Sequence, residues 1–283
     1  MKYIKLLWFD ICQGLFRKPL LFAVPVIVAL IACFDLAGRV AGLNSFDYFG
    51  TNTRAGFADF IMYIYGGMDQ YTPDSGDPFV FPARWGVVFL SIAFLTLNYP
   101  YKDIQAYGQQ ILIRTKGRIV WWLSKCGWNV LSVLIFHGLI FLTAALFCVI
   151  TKADLVGAIN KDLMYAVFQV ERSHMVPDTT IWTFVMLLLP VAVSLGINLL
   201  QMTLSLFLRP MFGFFITAFL LISSAYFTSP YFVGNYAMPI RYDVVIAEGV
   251  CVNDGVIISA AVAIAAVIVG NIKFCHYDIL NRD

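Results

Sequence analysis

Residues 99–125, YPYKDIQAYGQQILIRTKGRIVWWLSK, form the longest polar and basic interruption between the hydrophobic runs of this chain. Asp103 is the only acid in this segment, against five basic residues: Lys102, Arg114, Lys116, Arg118 and Lys125. An apolar and amide patch lies at its centre, Gln109-Gln110-Ile111-Leu112-Ile113. The segment is long enough for roughly two short helices at 1.5 Å per residue. It predicts a surface that docks onto another molecule in the cytoplasm.

The composition of the whole chain indicates a membrane protein. Of its 283 residues, 60% are hydrophobic and 13% are charged, whereas soluble domains carry roughly 25% charged residues. Runs of about 20 apolar residues recur, and each is long enough to cross a hydrocarbon layer about 30 Å thick. The sequence therefore predicts an all-α polytopic membrane protein in which residues 1–283 form a single transmembrane domain.

Six hydrophobic runs divide the chain and predict six transmembrane helices, at about 20–43, 84–100, 126–150, 179–208, 211–229 and 255–274. Before the first of them, residues 1–18 place apolar side chains such as Leu7 and Trp8 on one helical face and Lys5 and Arg17 on the other. This pattern predicts an interfacial helix in the headgroup region. A simple positive flank to the first span is the alternative.

The basic residues set the expected orientation. With both termini in the cytoplasm, twelve of them fall inside and six outside, and Arg39 lies at the outer edge. The positive-inside rule therefore places the 99–125 segment in the cytoplasm, between the second and third spans. Residues 44–83 and 230–254 become outer loops. Their acids, Asp59 among them, either solvate these loops or attract a cationic cargo, and solvation is favoured.

Polar side chains interrupt three of the predicted spans. Asp35 and Arg39 are four residues apart near the outer end of the first span, which favours an ion pair over a proton relay. His137 has no carboxylate or cysteine at metal-ligand spacing, so a hydrogen-bonded packing histidine is favoured over a ligand. A polar stripe on the fourth span predicts either bonds between helices or the lining of a wet pathway: Ser194, Asn198, Gln201 and Ser205.

The sequence carries no HExxH, GxSxG, CxxC or P-loop pattern. We therefore expect no catalytic residue, no metal ligand and no cofactor on this chain. No tract is typical of a nucleic-acid site, and the basic residues are expected to face anionic membrane lipids or a protein partner. Energy for any transport would come from another subunit or from an ion gradient, and the chain offers no acid near mid-membrane for ion coupling.

The six spans, the interfacial helix and the basic segment together resemble the permease subunits of ABC-2-type ABC transporters. In that family the segment commonly reads as an acid, Gly-Thr, an apolar run, a Ser/Arg pair and a Lys that enters the third span. This chain carries counterparts at comparable spacing, namely Gly108, Ile111-Leu112-Ile113, Arg118 and Lys125. It departs in having Tyr107 in place of the acid, Gln109 in place of Thr and no Pro before Gly117.

The resemblance implies a cytoplasmic coupling helix at about 103–113 that docks in a groove of a separate ATP-binding subunit. The residues that it assigns to docking are Tyr107, Gln109, Gln110, Ile111, Leu112 and Arg114. Arg118 and Lys125 would anchor the segment to lipid phosphates. Ser194, Asn198 and Gln201 would line the translocation path, which two permease chains, identical or paired with a sister, would enclose.

The function expected from this resemblance is that of a permease subunit of an ATP-driven exporter in a prokaryotic cytoplasmic membrane. The substrate would be amphipathic, such as a peptide, a lipid or a drug-like molecule. ATP and Mg²⁺ would bind to a pair of ATP-binding cassette subunits. A non-transporting membrane scaffold or sensor subunit is the alternative, and an ion-coupled secondary carrier ranks below it.

Overall fold

The protein is seen in a computed structural model that describes residues 2–49, 53–73, 76, 78–105, 108, 112, 117–155, 158–168, 180–246 and 248–276. Its α-helices are α1 (Lys2–Ile11), α2 (Leu20–Ser45), α3 (Phe57–Tyr65), α4 (Ala83–Thr96), α5 (Tyr99–Gln105), α6 (Arg118–Thr151), α7 (Lys161–Phe168), α8 (Thr180–Phe207), α9 (Pro210–Tyr226) and α10 (Val252–Cys275). A π-helix, Cys12–Phe16, continues α1, and two 3₁₀ turns, Val233–Ala237 and Pro239–Arg241, precede α10.

Four of these helices are long and apolar enough to cross a bilayer: α2, α6, residues Phe184–Phe207 of α8, and α10. The outward faces of these helices are themselves apolar. Ile31 and Phe34 of α2, for example, are each 65% exposed. Such a surface suits lipid rather than water. The predicted class, an all-α membrane protein, is therefore confirmed.

The other two predicted spans correspond to shorter helices. The run at 84–100 contains α4, whose 14 residues reach about 21 Å at 1.5 Å per residue. The run at 211–229 contains α9, whose 17 residues reach about 26 Å on the same basis. Both lengths fall short of a hydrocarbon layer of about 30 Å. The number of six spans and the cytoplasmic location of the termini remain predictions.

A buried helix occupies part of the sequence that was expected to form the first outer loop. α3 spans nine residues, and all of those from Ala58 to Tyr65 are buried. The helix packs against α2, α4, α6 and α8. Its Asp59 is 6% exposed and accepts hydrogen bonds from the Gly56 and Asn160 backbone N–H groups at 2.8 and 2.7 Å. The expectation that Asp59 is solvated was wrong, because its carboxylate satisfies one backbone donor just before α3 and another just before α7.

The second expected outer loop also folds inward, around Arg241. This arginine, one of the six basic residues predicted to lie outside the membrane, is 0% exposed. All three of its guanidinium nitrogens donate to oxygens of neighbouring segments, at 2.5 to 3.0 Å: Met68 O, Asp69 O, Ser224 O, Ala225 O and Asn235 Oδ1. These bonds hold residues 68–69, the end of α9 and the first 3₁₀ turn together.

Small residues allow α10 to approach α8 and α6 closely. A Cβ atom on Gly196 of α8 would lie 3.1 Å from the Ser259 carbonyl oxygen, and a Cβ on Gly270 would lie 2.1 Å from the Trp122 ring. Thr203 Oγ1 donates to the Ala266 carbonyl at 2.8 Å across the same contact. The small-residue face of α10 therefore packs against the bundle.

Candidate functional site

The 99–125 segment is described at its two ends and at two points between them. α5 forms its start, α6 begins at Arg118, and Gly108 and Leu112 are placed in between. The remaining residues assigned to docking lie outside the described residues: Tyr107, Gln109, Gln110, Ile111 and Arg114. The candidate site therefore comprises the base of the segment, where the segment joins the helix bundle.

Three charged side chains from three helices meet at this base. Asp10 of α1 and Lys125 of α6 are 0% exposed, and Asp103 of α5 is 8% exposed. Lys125 Nζ lies 2.7 Å from Asp103 Oδ2 and also pairs with Asp10 Oδ1. We call Asp10, Asp103 and Lys125 the buried charge cluster. It ties the N-terminal helix to both ends of the 99–125 segment.

Hydrogen bonds from neighbouring side chains complete the surroundings of both carboxylates. Asp10 accepts from Tyr99 OH at 2.9 Å and from Ser124 Oγ at 2.5 Å. Asp103 accepts from Trp121 Nε1 at 3.0 Å. A carboxylate away from water is tolerated only when it is paired and hydrogen-bonded. These donors meet that requirement.

Helical spacing explains how two short stretches of sequence supply most of the cluster. Tyr99 and Asp103 are four residues apart on α5, and Trp121 and Lys125 are four apart on α6, so each helix directs one aromatic and one charged side chain to the same face. Both rings lie 4.9 Å from Lys125 Nζ, which adds cation–π attraction. The cluster holds two carboxylates and one ammonium group, and so carries an excess of one negative charge.

A second lysine, Lys18, contacts the ring of Tyr99, whose hydroxyl donates to Asp10. Lys18 Nζ is 5.3 and 5.4 Å from the rings of Tyr99 and Trp128 and donates to the Leu95 carbonyl at 3.3 Å. Burial, followed by the nearby charge of Lys102, lowers the pKa of Lys18 to about 8. Lys18 therefore titrates much closer to neutral pH than an exposed lysine does.

The π-helix between α1 and α2 packs tightly against the same aromatic rings. A Cβ atom on Gly14 would lie 2.6 Å from both Trp128 Nε1 and Tyr99 Cζ. On α1 itself, Ile4 and Trp8 are 69% and 64% exposed. One side of the N-terminal helix therefore docks on α6 while apolar side chains remain outside, as expected for a helix in the headgroup region.

Gly108 lies close against Asp103 of the buried charge cluster. A Cβ atom at this position would lie 2.5 Å from Asp103 Oδ2 and 2.6 Å from the Asp103 carbonyl oxygen. Asp103 is held by Trp121 and Lys125, so its carboxylate has little freedom to move away. The glycine is required by this contact.

Leu112, which the resemblance assigns to the docking surface, is turned toward the protein interior. Its side chain is 3% exposed and belongs to an apolar cluster with Trp121, Trp122, Met202 and Phe274. Leu112 is therefore covered by the side chains of this chain. Its contribution is to hold the segment against α6, α8 and α10.

The two basic residues expected to anchor the segment to lipid phosphates have other partners. Lys125 is inside the buried charge cluster, so the expectation was wrong for this residue. Arg118 Nη1 donates to the carbonyl of Cys275, the last residue of α10, at 2.6 Å. Both side chains therefore join parts of the protein to each other.

The polar stripe of α8 makes bonds between helices. Ser194, Asn198 and Gln201 are each 2% exposed or less. Asn198 Oδ1 accepts from Thr96 Oγ1 at 3.1 Å, and Gln201 Nε2 donates to the Ala93 carbonyl at 2.7 Å. Of the two alternatives left open by the sequence, bonding between α8 and α4 is observed. A role of these residues in a translocation path remains a prediction.

The other two polar features predicted in the spans, the Asp35–Arg39 pair and His137, are also observed in contact with partners. Arg39 Nε lies 3.4 Å from Asp35 Oδ2, which confirms the expected ion pair. His137 Nδ1 lies 2.6 Å from Tyr65 OH in the interior, as expected for a packing histidine. Within the described part of the chain, no group of three or more His, Cys, Asp or Glu side chains is placed to hold a metal ion.

Asp10 belongs to the candidate site but was not predicted from the sequence. It is the only acid among residues 1–18, just as Asp103 is the only acid of the 99–125 segment. Two lone acids in basic stretches are a signal for buried pairing with a lysine. The partner itself could not be read from the sequence, since Asp10 and Lys125 are 115 residues apart.

Comparisons of this chain with protein-family models, with characterised proteins and with solved structures gave no match. The class of the protein therefore follows from its fold and site alone. It is an all-α membrane protein in which a buried charge cluster fixes the base of a basic segment.

Proposed function

We propose that this chain is the membrane-spanning permease subunit of an ATP-driven ABC exporter of the ABC-2 type, with six spans and both termini in the cytoplasm. A pair of ATP-binding cassette subunits would bind ATP and Mg²⁺, and a second permease chain would complete the path. The substrate class is amphipathic, meaning a peptide, a lipid or a drug-like molecule. The location is the cytoplasmic membrane of a prokaryotic cell.

The observation that carries this proposal is the rigid base of the 99–125 segment. The buried charge cluster joins α5 and α6 to each other and to α1. α6, which supplies Lys125 to this base, is 34 residues long in all, which corresponds to about 51 Å at 1.5 Å per residue. A force applied to the segment by a partner subunit would therefore be transmitted along a helix that crosses the bilayer.

In this proposal the partner must contact the segment differently in its two states, because only differential contacts shift a conformational equilibrium. The contacts are assigned to Tyr107, Gln109, Gln110, Ile111 and Arg114. Leu112 is left out of this set since its side chain packs inside the chain. ATP-driven closure of the partner pair would then tilt α6 relative to the rest of the bundle.

The proposal is tested by purifying the full chain with a P-loop protein encoded beside its gene and measuring ATP hydrolysis in liposomes. Arg114→Glu and Gln110→Glu are expected to reduce assembly and hydrolysis at least tenfold. Gln70→Glu, which makes the same charge change as Gln110→Glu at the exposed Gln70, should have no effect. If both segment variants assemble and hydrolyse ATP like the wild type, the docking role is refuted. Hydrolysis that no amphiphile stimulates would favour the scaffold or sensor alternative.

A further inference from the structure

A cavity of about 400 Å³ lies beside the start of α4, and the end of α3 also contributes residues to its wall. Its walls are mainly apolar and include Met68, Val80, Phe81 and Trp85. Val80 is 70% exposed, so the cavity opens at the protein surface. Its volume is within the range of about 300–1,000 Å³ that is typical of ligand sites.

Arg84 is the charged residue among the described side chains that line this cavity. Its Nη1 donates to Tyr63 OH at 2.7 Å and lies 3.6 Å from Asp35 Oδ2. Its Nε and Nη2 atoms have no hydrogen-bond partner within the ranges that the structure describes. The side chain is 39% exposed. Arg84 therefore presents unused donors at the cavity wall.

Arg241 shows how the same protein treats an arginine with a purely structural position. Its Nε, Nη1 and Nη2 atoms all donate to neutral oxygens, and it is 0% exposed. A guanidinium group has five donors in a planar fork that suits phosphate and carboxylate oxygens. Those of Arg241 are used inside the fold, whereas two nitrogens of Arg84 remain available for an anion.

The charge around the cavity also favours an anion. Arg39 and Arg84 together outnumber Asp35 by one positive charge, and Asp35 already accepts a hydrogen bond from Tyr63 OH. None of the described residues that line the cavity is acidic. α4 begins at this wall after Pro82, which provides no side-chain cap, so the amide groups of its first turn add positive potential.

We propose that this cavity binds the phosphate headgroup of an anionic membrane lipid. Arg84 Nε and Nη2 would donate to the phosphate oxygens, and the start of an acyl chain would lie along Val80 and Phe81. A membrane lipid is favoured over a soluble anion because the walls are apolar and because the neighbouring α2 exposes Ile31 and Phe34. Lipid binding here needs no ATP-binding partner, so the inference does not depend on the proposed transport function.

The test is thermal unfolding of the purified full chain in dodecyl maltoside during titration with dihexanoyl phosphatidylglycerol. The wild-type melting midpoint should rise to saturation, because a ligand that binds only the folded state stabilises it. Dihexanoyl phosphatidylcholine should produce no comparable rise. Arg84→Gln should raise the half-saturating concentration at least tenfold, and Arg84→Lys should retain part of the effect. Arg54→Gln removes an exposed arginine outside this cavity and should titrate like the wild type.

Two results would overturn the inference. Equal midpoint shifts with the phosphatidylcholine, unchanged in Arg84→Gln, would mean that only hydrocarbon partitions into the cavity. An equal shift with glycerol phosphate alone would mean that the site takes a free anion and that its apolar walls contribute nothing. If Arg84→Gln does not fold, the Arg84→Lys titration against the Arg54→Gln control decides the outcome, and an unchanged half-saturating concentration would then refute the role of Arg84.

Discussion

Lys125 Nζ and Asp103 Oδ2 lie 2.7 Å apart in the interior of the protein, where neither residue is more than 8% exposed. Replacement of such a pair by apolar residues is often neutral for stability, but removal of one partner is expensive because the other charge is left buried. We infer that the pair serves to fix the positions of α5 and α6. Asp10 extends the same constraint to α1.

Lys125→Met tests this arrangement first. The variant leaves the carboxylates of Asp10 and Asp103 without their cation, and we expect a loss of about 3–5 kcal/mol of unfolding free energy. Asp103→Asn should cost less, because Lys125 keeps its pair with Asp10. Denaturant unfolding in detergent micelles provides the measurement. The exposed Lys5 supplies the control Lys5→Met, and equal effects of the two lysine variants would contradict the burial of the cluster.

Gly108→Ala tests the close packing of Gly108 against Asp103. The added methyl group would meet the Asp103 carboxylate at 2.5 Å, and overpacking of this kind typically costs about 1–3 kcal/mol. Gly138→Ala is the matched control, since a Cβ atom there has no neighbour within 4 Å and alanine favours the helix. A thermal melt should show a lower midpoint for the first variant only. An unchanged midpoint for Gly108→Ala would show that Gly108 does not pack against Asp103.

The buried Asp59 carboxyl is expected to make the unfolding free energy of the protein depend on pH. Burial raises its pKa to about 6 from 3.8, although its bonds to the Asn160 and Gly56 N–H groups favour the charged form. The folded state therefore binds the proton more tightly than the unfolded state. The resulting stabilisation is complete below about pH 4 and is lost as the pH rises through about 6. Two pKa units correspond to about 3 kcal/mol.

Unfolding free energies measured at pH 4 and pH 7 test this dependence. Asp59→Asn should remove the Asp59 contribution to the difference in unfolding free energy between pH 4 and pH 7. Asp243→Asn changes an exposed acid in the second predicted outer loop, residues 230–254. This variant should show the same difference in unfolding free energy as the wild type. A difference that survives in Asp59→Asn would assign the pH dependence to another group.

Arg241→Met tests the inward fold of the second predicted loop. The substitution leaves five oxygens without their donor, four of them backbone carbonyls. We expect a loss of about 3–5 kcal/mol, because buried acceptors without a donor each carry a desolvation penalty. Limited proteolysis should cleave residues 227–251 faster in this variant than in Arg54→Met. Equal cleavage rates would show that the arginine does not hold the loop in place.

The sequence predicted those parts of the fold that depend on the local pattern. Long apolar runs predicted α2, α6, α8 and α10 because length and hydrophobicity alone decide whether a helix can span a bilayer. α3 was not predicted, since a nine-residue stretch that contains Asp59 is too short and too polar for a span. The packing of α3 depends on surfaces supplied by four other helices.

The candidate site could be predicted only in part, because its contacts join residues that lie far apart in the chain. The 99–125 segment was recognised from its charge, but Lys125 was assigned to lipid because the lysine and Asp10 lie far apart in sequence. The burial of Arg241 was not predicted for a related reason. Its acceptors are mostly backbone carbonyls, which every residue has and which no sequence pattern marks.

Site-specific cross-linking tests the central claim most directly. A photoreactive amino acid placed at Gln110 of the full chain, in cells that also produce the neighbouring P-loop protein, should form a covalent adduct with that ATP-binding subunit. The same group at Gln70, which is exposed, should form none. An adduct from Gln110 would support a cytoplasmic docking segment. Absence of any adduct from positions 107, 109, 110 and 114, or modification of position 110 by a membrane-impermeant reagent added outside intact cells, would contradict it.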